Sequence, residues 1–430
     1  MARPVQPSTP SLHAHRRVHT WGVLRHRNYA LLFWGQLISS TGTQIQIVAV
    51  AWQVFLLTHS PLALGLIGLV QAIPRIVLSL VGGIFADVFD RRKLLLNFQM
   101  MLAALSAVLA LCTFYHIINM FIIYAVVLIS ASVSAFDFPT RQAIIPNLVP
   151  RERLADAVSL YMAMIQLTGI VGLTAGGSVI AQFGLANTYW IDVISYFVVI
   201  GSLLFMAVPY IPVEKRAQAG FRALTDGMRF LRTQQVILAI ISLDFFATFF
   251  GSPTSLLPIF ASSLLHVGSQ GLGILMAVDS IGALAVTPFA GRIGRFTRQG
   301  LGIVFSIILW GVCIVAFGLF PSSLWISALL LACAGAANMI SMILRFLVVQ
   351  LITPDELRGR ISSVNAMFAF GGPLLGNFES GLVASLTSPQ FSIISGGVAC
   401  IIATLAIVAI VPGLVCVHVK VESGRRDSSN

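Results

Sequence analysis

Residues 61–93 read PLALGLIGLVQAIPRIVLSLVGGIFADVFDRRK, an apolar run of transmembrane length that ends in three consecutive basic residues. The arrangement recurs, because twenty-five of the twenty-six Lys and Arg residues fall into seven clusters separated by apolar sequence. Each separation is long enough for two spans of about 20 apolar residues. Since basic residues concentrate in cytoplasmic loops, the pattern predicts a plasma-membrane protein with twelve spans and both termini in the cytoplasm.

The composition excludes several other classes of protein. Of 430 residues, 57% are hydrophobic and 10% are charged, which is too little polar surface to cover a soluble body of this size. The net charge of +11 lies in short loops, where it suits anionic lipid headgroups, so we expect a lipid bilayer and no nucleic acid as partner. The five cysteines show no paired metal-ligand spacing. We therefore expect no metal site, and the absence of a catalytic constellation and of the phosphate-loop pattern argues against an enzyme.

The longest inner connection, residues 210–233, divides the chain into two halves, 30–209 and 234–414, with tails at 1–29 and 415–430. Apolar side chains recur at helical spacing in this connection, which predicts an amphipathic helix on the inner leaflet. The predicted spans are 30–56, 62–86, 95–114, 118–138, 155–181, 187–209, 234–258, 268–290, 301–320, 323–344, 361–386 and 391–414.

The halves also resemble each other in sequence. The stretch RQAIIPNLVPRE, which begins at Arg141, has a counterpart in RFLVVQLITPDE, which begins at Arg345, 204 positions later. The same offset superposes Gly172 on Gly376. Such a repeat predicts two six-helix pseudo-symmetric bundles related by an axis along the membrane normal. The expected fold is thus an all-α membrane protein with Arg141 and Arg345 in equivalent inner loops.

Residues 82–93, GGIFADVFDRRK, resemble the G-x-x-x-D-x-x-x-R-R/K loop of the major facilitator superfamily. In this pattern Gly83 permits close helix approach, while Asp87, Arg91 and Arg92 control an inner gate. Residues 139–150, PTRQAIIPNLVP, are similar to the transmembrane secretion effector branch, which contains enterobactin exporters and macrolide-efflux proteins. The resemblance implies the major facilitator fold and proton-driven export of an amphipathic small molecule by alternating access. We expect a monomer that needs no cofactor and is driven by the proton gradient.

A glycine-rich stretch contains Gly172, Gly176 and Gly177 and resembles the G-P-x-x-G-G element of facilitator antiporters, with Leu173 in place of the proline. In that interpretation the small residues seal the seam between the halves against ion leak. Ordinary close packing of helices is the alternative, since small residues serve both purposes.

Four charged residues stand inside apolar spans and away from the span ends: Arg75, Asp244, Asp279 and Glu379. An unpaired charge at the bilayer centre costs at least ~2.5–3.5 kcal/mol, so such groups should pair with one another, become protonated or face a cavity. We hypothesise that Arg75 is the fixed positive charge of a central cavity. Asp244 and Asp279 would then carry protons, because desolvation disfavours their charged forms. The alternative is a structural ion pair between Arg75 and an acid.

Polar stripes accompany these charges in both halves. Thr248 lies one helical turn after Asp244, while Gln46 and Gln53 lie seven residues apart in the first span. Corresponding stripes in two repeats predict the walls of a substrate and proton path. Proton-coupled uptake of a small solute, or a non-transporting scaffold or sensor on the same fold, remains an alternative function.

Overall fold

The computed structural model describes residues 20–88, 90–206, 234–353 and 358–415, with the backbone alone at 20–21, 79–88, 358–360 and 362–363. Regular structure in these ranges is helical throughout. The predicted amphipathic helix at 210–233 lies outside the described residues, as do most of the two tails.

Twelve labels suffice for the long helices of the described part. The helices of the N-terminal half are α1 (Arg27–Thr58), α2 (Pro61–Val88), α3 (Arg91–Phe114), α4 (Met120–Ile144), α5 (154–183) and α6 (185–205). Those of the C-terminal half are α7 (Gln235–Phe250), α8 (Gly268–Val286), α9 (Gln299–Leu319), α10 (Leu324–Ile352), α11 (Arg358–Leu386) and α12 (Pro389–Ile410). We call α1–α6 the N half and α7–α12 the C half.

Helices α5 and α6 are the arms of one helical segment, Leu154–Phe205, which Gly184 interrupts with φ 78° and ψ 171°. Side chains other than hydrogen are disfavoured at such positive φ, so a glycine fits this sharp break. Short helical turns also extend α7 to Leu264 and α8 to Ile293.

Ten helical segments of the described part are long and apolar enough to cross a membrane. One of them, Arg151–Phe205, is 55 residues long and includes the break at Gly184, whereas α11 is not among the ten. The prediction of an all-helical, multi-pass membrane protein is therefore confirmed.

Two inner boundaries differ from the prediction. The predicted spans end at 138 and 344, but α4 continues to Ile144 and α10 to Ile352. Arg141 and Arg345 consequently lie on helices, and the prediction that they occupy loops is wrong. The helices extend this far because both arginines are buried against acidic side chains, as described below.

Each half packs mainly within itself. In the N half, α1 packs on the α5–α6 segment, α2 on α4, and α3 on α4 and on the α5–α6 segment. In the C half, α7 packs on α11 and α12, α9 on α10 and α12, and α8 on α10. Contacts between the halves come chiefly from two helix pairs, α2 with α11 and α5 with α8.

Glycine pairs bring the backbones together in both of these seams. A Cβ placed on Gly177 of α5 would lie 3.0 Å from the Cα of Gly273 on α8. A Cβ placed on Gly65 of α2 would lie 2.9 Å from the Cα of Gly381 on α11. The hydroxyl of Ser269 also donates to the Gly177 carbonyl at 3.2 Å. Both contacts lie near the predicted outer turns, so the described residues close the seams at the outer ends of the helices.

We expect the substitution Gly177→Ala to destabilise the protein by about 1–3 kcal/mol, because the added methyl overpacks the α5–α8 seam. Gly201→Ala is the matched control, since a Cβ there meets nothing within 4 Å. The melting temperature of each variant is measured in micelles. Unfolding is detected as an increase in maleimide labelling when the buried Cys313 and Cys400 become accessible. Equal melting temperatures for the two variants would contradict close packing at Gly177.

Candidate functional site

An ion pair joins α7 to α10 in the C half. A guanidinium nitrogen of Arg345 lies 2.5 Å from a carboxylate oxygen of Asp244, and both side chains are largely buried. One turn further along α7, the hydroxyl of Thr248 donates to the Asp244 carbonyl at 2.7 Å. Arg345 reaches Asp244 from the neighbouring helix, so Asp244 is not the acid of a structural ion pair with Arg75.

A second buried arginine occupies the corresponding place in the N half. Arg141 forms an ion pair with Asp137, one turn earlier in α4, and donates a hydrogen bond to Gln36 on α1. The amide of Gln99 on α3 donates to the Asp137 carboxylate at 2.9 Å. Arg141 and Arg345 thus each contact the first helix of their own half, but their acids come from different helices.

A cavity of about 260 Å³ lies within the C half, among α7, α8, α9, α10 and α11. Its wall includes Asp279 and Asn338, which are polar, and the indole of Trp310. The Asp279 side chain is exposed to this space. It has room there because α10 carries a glycine opposite: a Cβ on Gly335 would lie 2.8 Å from the carboxylate oxygen. Among the described residues that line the cavity, none is Lys, Arg or His.

Arg75 and Glu379 stand apart from this cavity. Arg75 is half-buried on α2 and Glu379 is half-buried on α11, and neither contributes to the lining. Within the described ranges neither forms an ion pair. The structure therefore brings Thr248 and Asp279 together at the cavity and leaves the other two charges at the α2 and α11 helices.

The polar stripe of α1 contacts the interior of the N half. The amide nitrogen of Gln46 donates to Ser106 on α3 at 3.1 Å, and that of Gln53 donates to Thr113 at 2.9 Å. The hydroxyl of Tyr189 on α6 donates to Gln53 at 2.6 Å. These amides bind side chains of their own half, so their position differs from the predicted lining of a path between the halves.

Asp192 is a buried acid whose environment the sequence did not reveal. It has no exposed surface, and Ser106 on α3 donates to its carboxylate at 2.8 Å. The Ser195 hydroxyl donates to its main-chain carbonyl at 2.7 Å. In the sequence Asp192 lies only five residues into the predicted span 187–209, where an acid is compatible with a simple helix end. Its partners are hydroxyl groups, which hydrophobicity patterns do not identify.

The glycine-rich element serves two different contacts. A Cβ on Gly172 or Gly176 would meet residues of α1, such as Gln44 or Ile45. Gly177 alone of the three faces α8 across the seam between the halves. Ordinary packing within the N half thus accounts for two of the three positions.

The inner-gate motif is described in part. At Gly83 and Asp87 the structure describes only the backbone. Arg91 donates to the Ala143 carbonyl at 2.7 Å, and Arg92 donates to the Leu203 carbonyl at 2.8 Å. These carbonyls belong to the last turns of α4 and α6, where basic groups complement the helix dipole.

We expect Asp244→Leu and Arg345→Met each to destabilise the protein by about 3–5 kcal/mol, because each single change leaves a buried charge without its partner. The double variant should lose much less than the sum of the two effects. Unfolding of all four proteins in micelles measures the coupling. Strictly additive losses would mean that the pair does not interact.

Substitution of Asp192 by Asn, its neutral isostere, removes the charge but keeps a hydrogen-bond acceptor, so the two contributions to stability can be separated. Asn still offers an oxygen to Ser106, whereas Leu leaves that buried hydroxyl without its acceptor. We therefore expect Asp192→Asn to unfold close to the parent temperature and Asp192→Leu to lose about 1–3 kcal/mol. A larger loss for Asn than for Leu would show that the negative charge itself is required.

Comparisons with known proteins agree with this architecture. A family model described as transmembrane secretion effector matches residues 18–417. Enterobactin exporter EntS of Citrobacter koseri is 26% identical over 374 residues, which cover 86% of this chain and 89% of that protein. The solved structure of a POT family transporter in complex with 5-aminolevulinic acid has a TM-score of 0.72 at 12% identity, covering 90% of this chain and 96% of that chain.

A bacterial homologue of the human lysosomal transporter Spinster, in an inward-facing and unoccupied conformation, has a TM-score of 0.66 at 15% identity. The match covers 93% of this chain and 96% of that chain. At such low identity the two structures show the fold alone. Proteins of the matched family are transporters, not enzymes, and need no cofactor. The chain belongs to the transmembrane secretion effector family of the major facilitator superfamily.

Proposed function

We propose that this chain exports an amphipathic small organic molecule in exchange for protons. The observation that carries the proposal is the buried Asp244–Arg345 pair, which lies one helical turn from Thr248 in the wall of a cavity that also contains Asp279. A carboxylate at such a place can alternate between a paired, charged form and a protonated, neutral form. The relative named above is an enterobactin exporter, and this supports export of a small organic molecule here.

The proposal includes twelve spans arranged as two six-helix bundles with both termini in the cytoplasm. The break at Gly184 supports counting Arg151–Phe205 as two spans, and α11 is long enough to be the twelfth. Two bundles are supported by the packing of each half within itself. The orientation rests on the basic residues, such as Arg91, Arg92, Arg292 and Arg298, which lie at one end of the helices.

Alternating access is supported by where the halves touch. The closest glycine contacts of both seams, Gly177 with Gly273 and Gly65 with Gly381, lie toward the predicted outer ends of the helices. They support a state in which the halves are held together on the outer side. The Spinster homologue was solved in an inward-facing conformation. Opening to the outside then requires the α5–α8 and α2–α11 contacts to separate.

Proton coupling follows from the two acids. With Asp244 ionised, its attraction to Arg345 holds α7 against α10. A proton on Asp244 removes that attraction and lets the two helices shift. Asp279 faces the cavity directly, so a bound molecule and a proton compete for its carboxylate. Competition of this kind makes the two fluxes run in opposite directions.

We expect Asp244→Asn to reduce proton-driven transport at least tenfold while the protein reaches the membrane at the normal level. A drug-susceptibility panel in a pump-deficient host first identifies a transported compound, with enterobactin included because a relative exports it. Uptake of that compound into inside-out vesicles with an acidic lumen is then measured for the parent and the variant. Asp156→Asn, near the start of α5 and away from the cavity, is the matched acid-to-amide control.

The same vesicles separate the alternatives. Uptake that stops when nigericin collapses the pH gradient supports antiport. Transport of compound and proton in the same direction would indicate coupled uptake instead. No movement of any compound or proton would indicate a scaffold or sensor. Full gradient-driven transport by Asp244→Asn would exclude Asp244 as the coupling acid.

A further inference from the structure

We propose that the cavity of the C half binds an organic cation, with the Asp279 carboxylate against the positive head and Trp310 beside it. The inference rests on the proposed function, because it names the class of molecule that the transporter would carry. Asp279 is exposed to the cavity, and no basic residue shares the described lining. A bound cation would therefore meet a carboxylate without a competing positive side chain in the wall.

The arginine of the wall helix α10, Arg345, is already paired with an acid. Arg345 lies two turns along α10 from the lining residue Asn338 and is paired with Asp244. That pair contributes little net charge to the cavity. An anion entering the site would approach the Asp279 carboxylate and find no cation in the described lining, at considerable electrostatic cost. The charge of the site therefore favours a cation over an anion.

The remaining lining favours an organic cation over a metal ion. Leu275, Met276 and Leu331 add aliphatic wall, and Trp310 adds an indole, the best aromatic partner for a cation. Asp279 is one carboxylate, and in the described part of the chain no group of three His, Cys, Asp or Glu residues could hold a metal. A volume of about 260 Å³ is also far larger than an ion and its few water molecules need.

The volume limits the size of the bound group. Pockets for drug-sized ligands usually measure about 300–1,000 Å³, so 260 Å³ suits an ammonium head with one aromatic ring. A larger amphipath would place its cationic end here and extend beyond the cavity. The polar neighbours Thr248 and Asn338 can accept or donate hydrogen bonds at the margin of the head group.

Benzyltrimethylammonium and its neutral carbon isostere, neopentylbenzene, test the proposal because they share a shape and differ in charge. Equilibrium dialysis of the full chain in micelles measures binding of each, with binding to protein-free micelles subtracted. We expect the parent protein to prefer the cation at least tenfold. Asp279→Asn should abolish the preference with little effect on the isostere, and Asp279→Glu should retain it. Asp156→Asn removes an acid outside the cavity and should also retain it.

Equal affinity of the parent for the cation and the isostere would overturn the proposal, as would an unchanged preference in Asp279→Asn. Should Asp279→Asn fail to fold, Trp310→Leu provides the second variant, with a larger loss for the cation than for the isostere expected. The assay needs no proton gradient. Cation preference without coupled transport would therefore refute antiport and leave the site standing, and coupled transport without cation preference would refute only the site.

Discussion

A charge within hydrocarbon must find its partner inside the protein or in a water-filled space, and this constraint organises the interior of the molecule. Asp137 satisfies this constraint by an ion pair with Arg141 on the same helix, and Asp244 by an ion pair with Arg345 on a neighbouring helix. Asp279 meets it at the wall of a cavity. These arrangements differ in the free energy that is needed to move one helix relative to another. A pair within one helix travels with it, whereas a pair between two helices must be broken or neutralised before they can slide.

The two ends of the helices are held by different interactions. At the outer ends, backbone contacts at glycines such as Gly177 and Gly273 hold the halves together without any charge. At the inner ends, Arg91 and Arg92 bind the terminal carbonyls of α4 and α6 within the N half. The outer seam therefore depends on shape, and the inner organisation depends on charge.

The all-helical membrane fold could be predicted from sequence because hydrophobic length and the positions of basic residues are one-dimensional properties. The charged residues inside the spans were also visible there. Their partners were not, because pairing depends on how each helix is rotated about its axis. Asp244 was expected to carry a proton in a cavity whose fixed charge is Arg75, but Arg345 pairs with it once α10 continues past the predicted end of its span. The polar face of α1 was visible as well, yet its direction toward Ser106 and Thr113 was not.

The acids of the two halves have different surroundings. In the N half, amides, hydroxyls and acids bind one another: Gln53 meets Thr113 and Tyr189, and Asp192 accepts from Ser106. Such a network resists rearrangement, because breaking one bond leaves a buried polar group unsatisfied. In the C half, Asp279 remains open to a cavity and Asp244 is held by a single guanidinium. Under the proposed function, exchange of a proton and of a bound cation would therefore be concentrated at Asp244 and Asp279 of the C half.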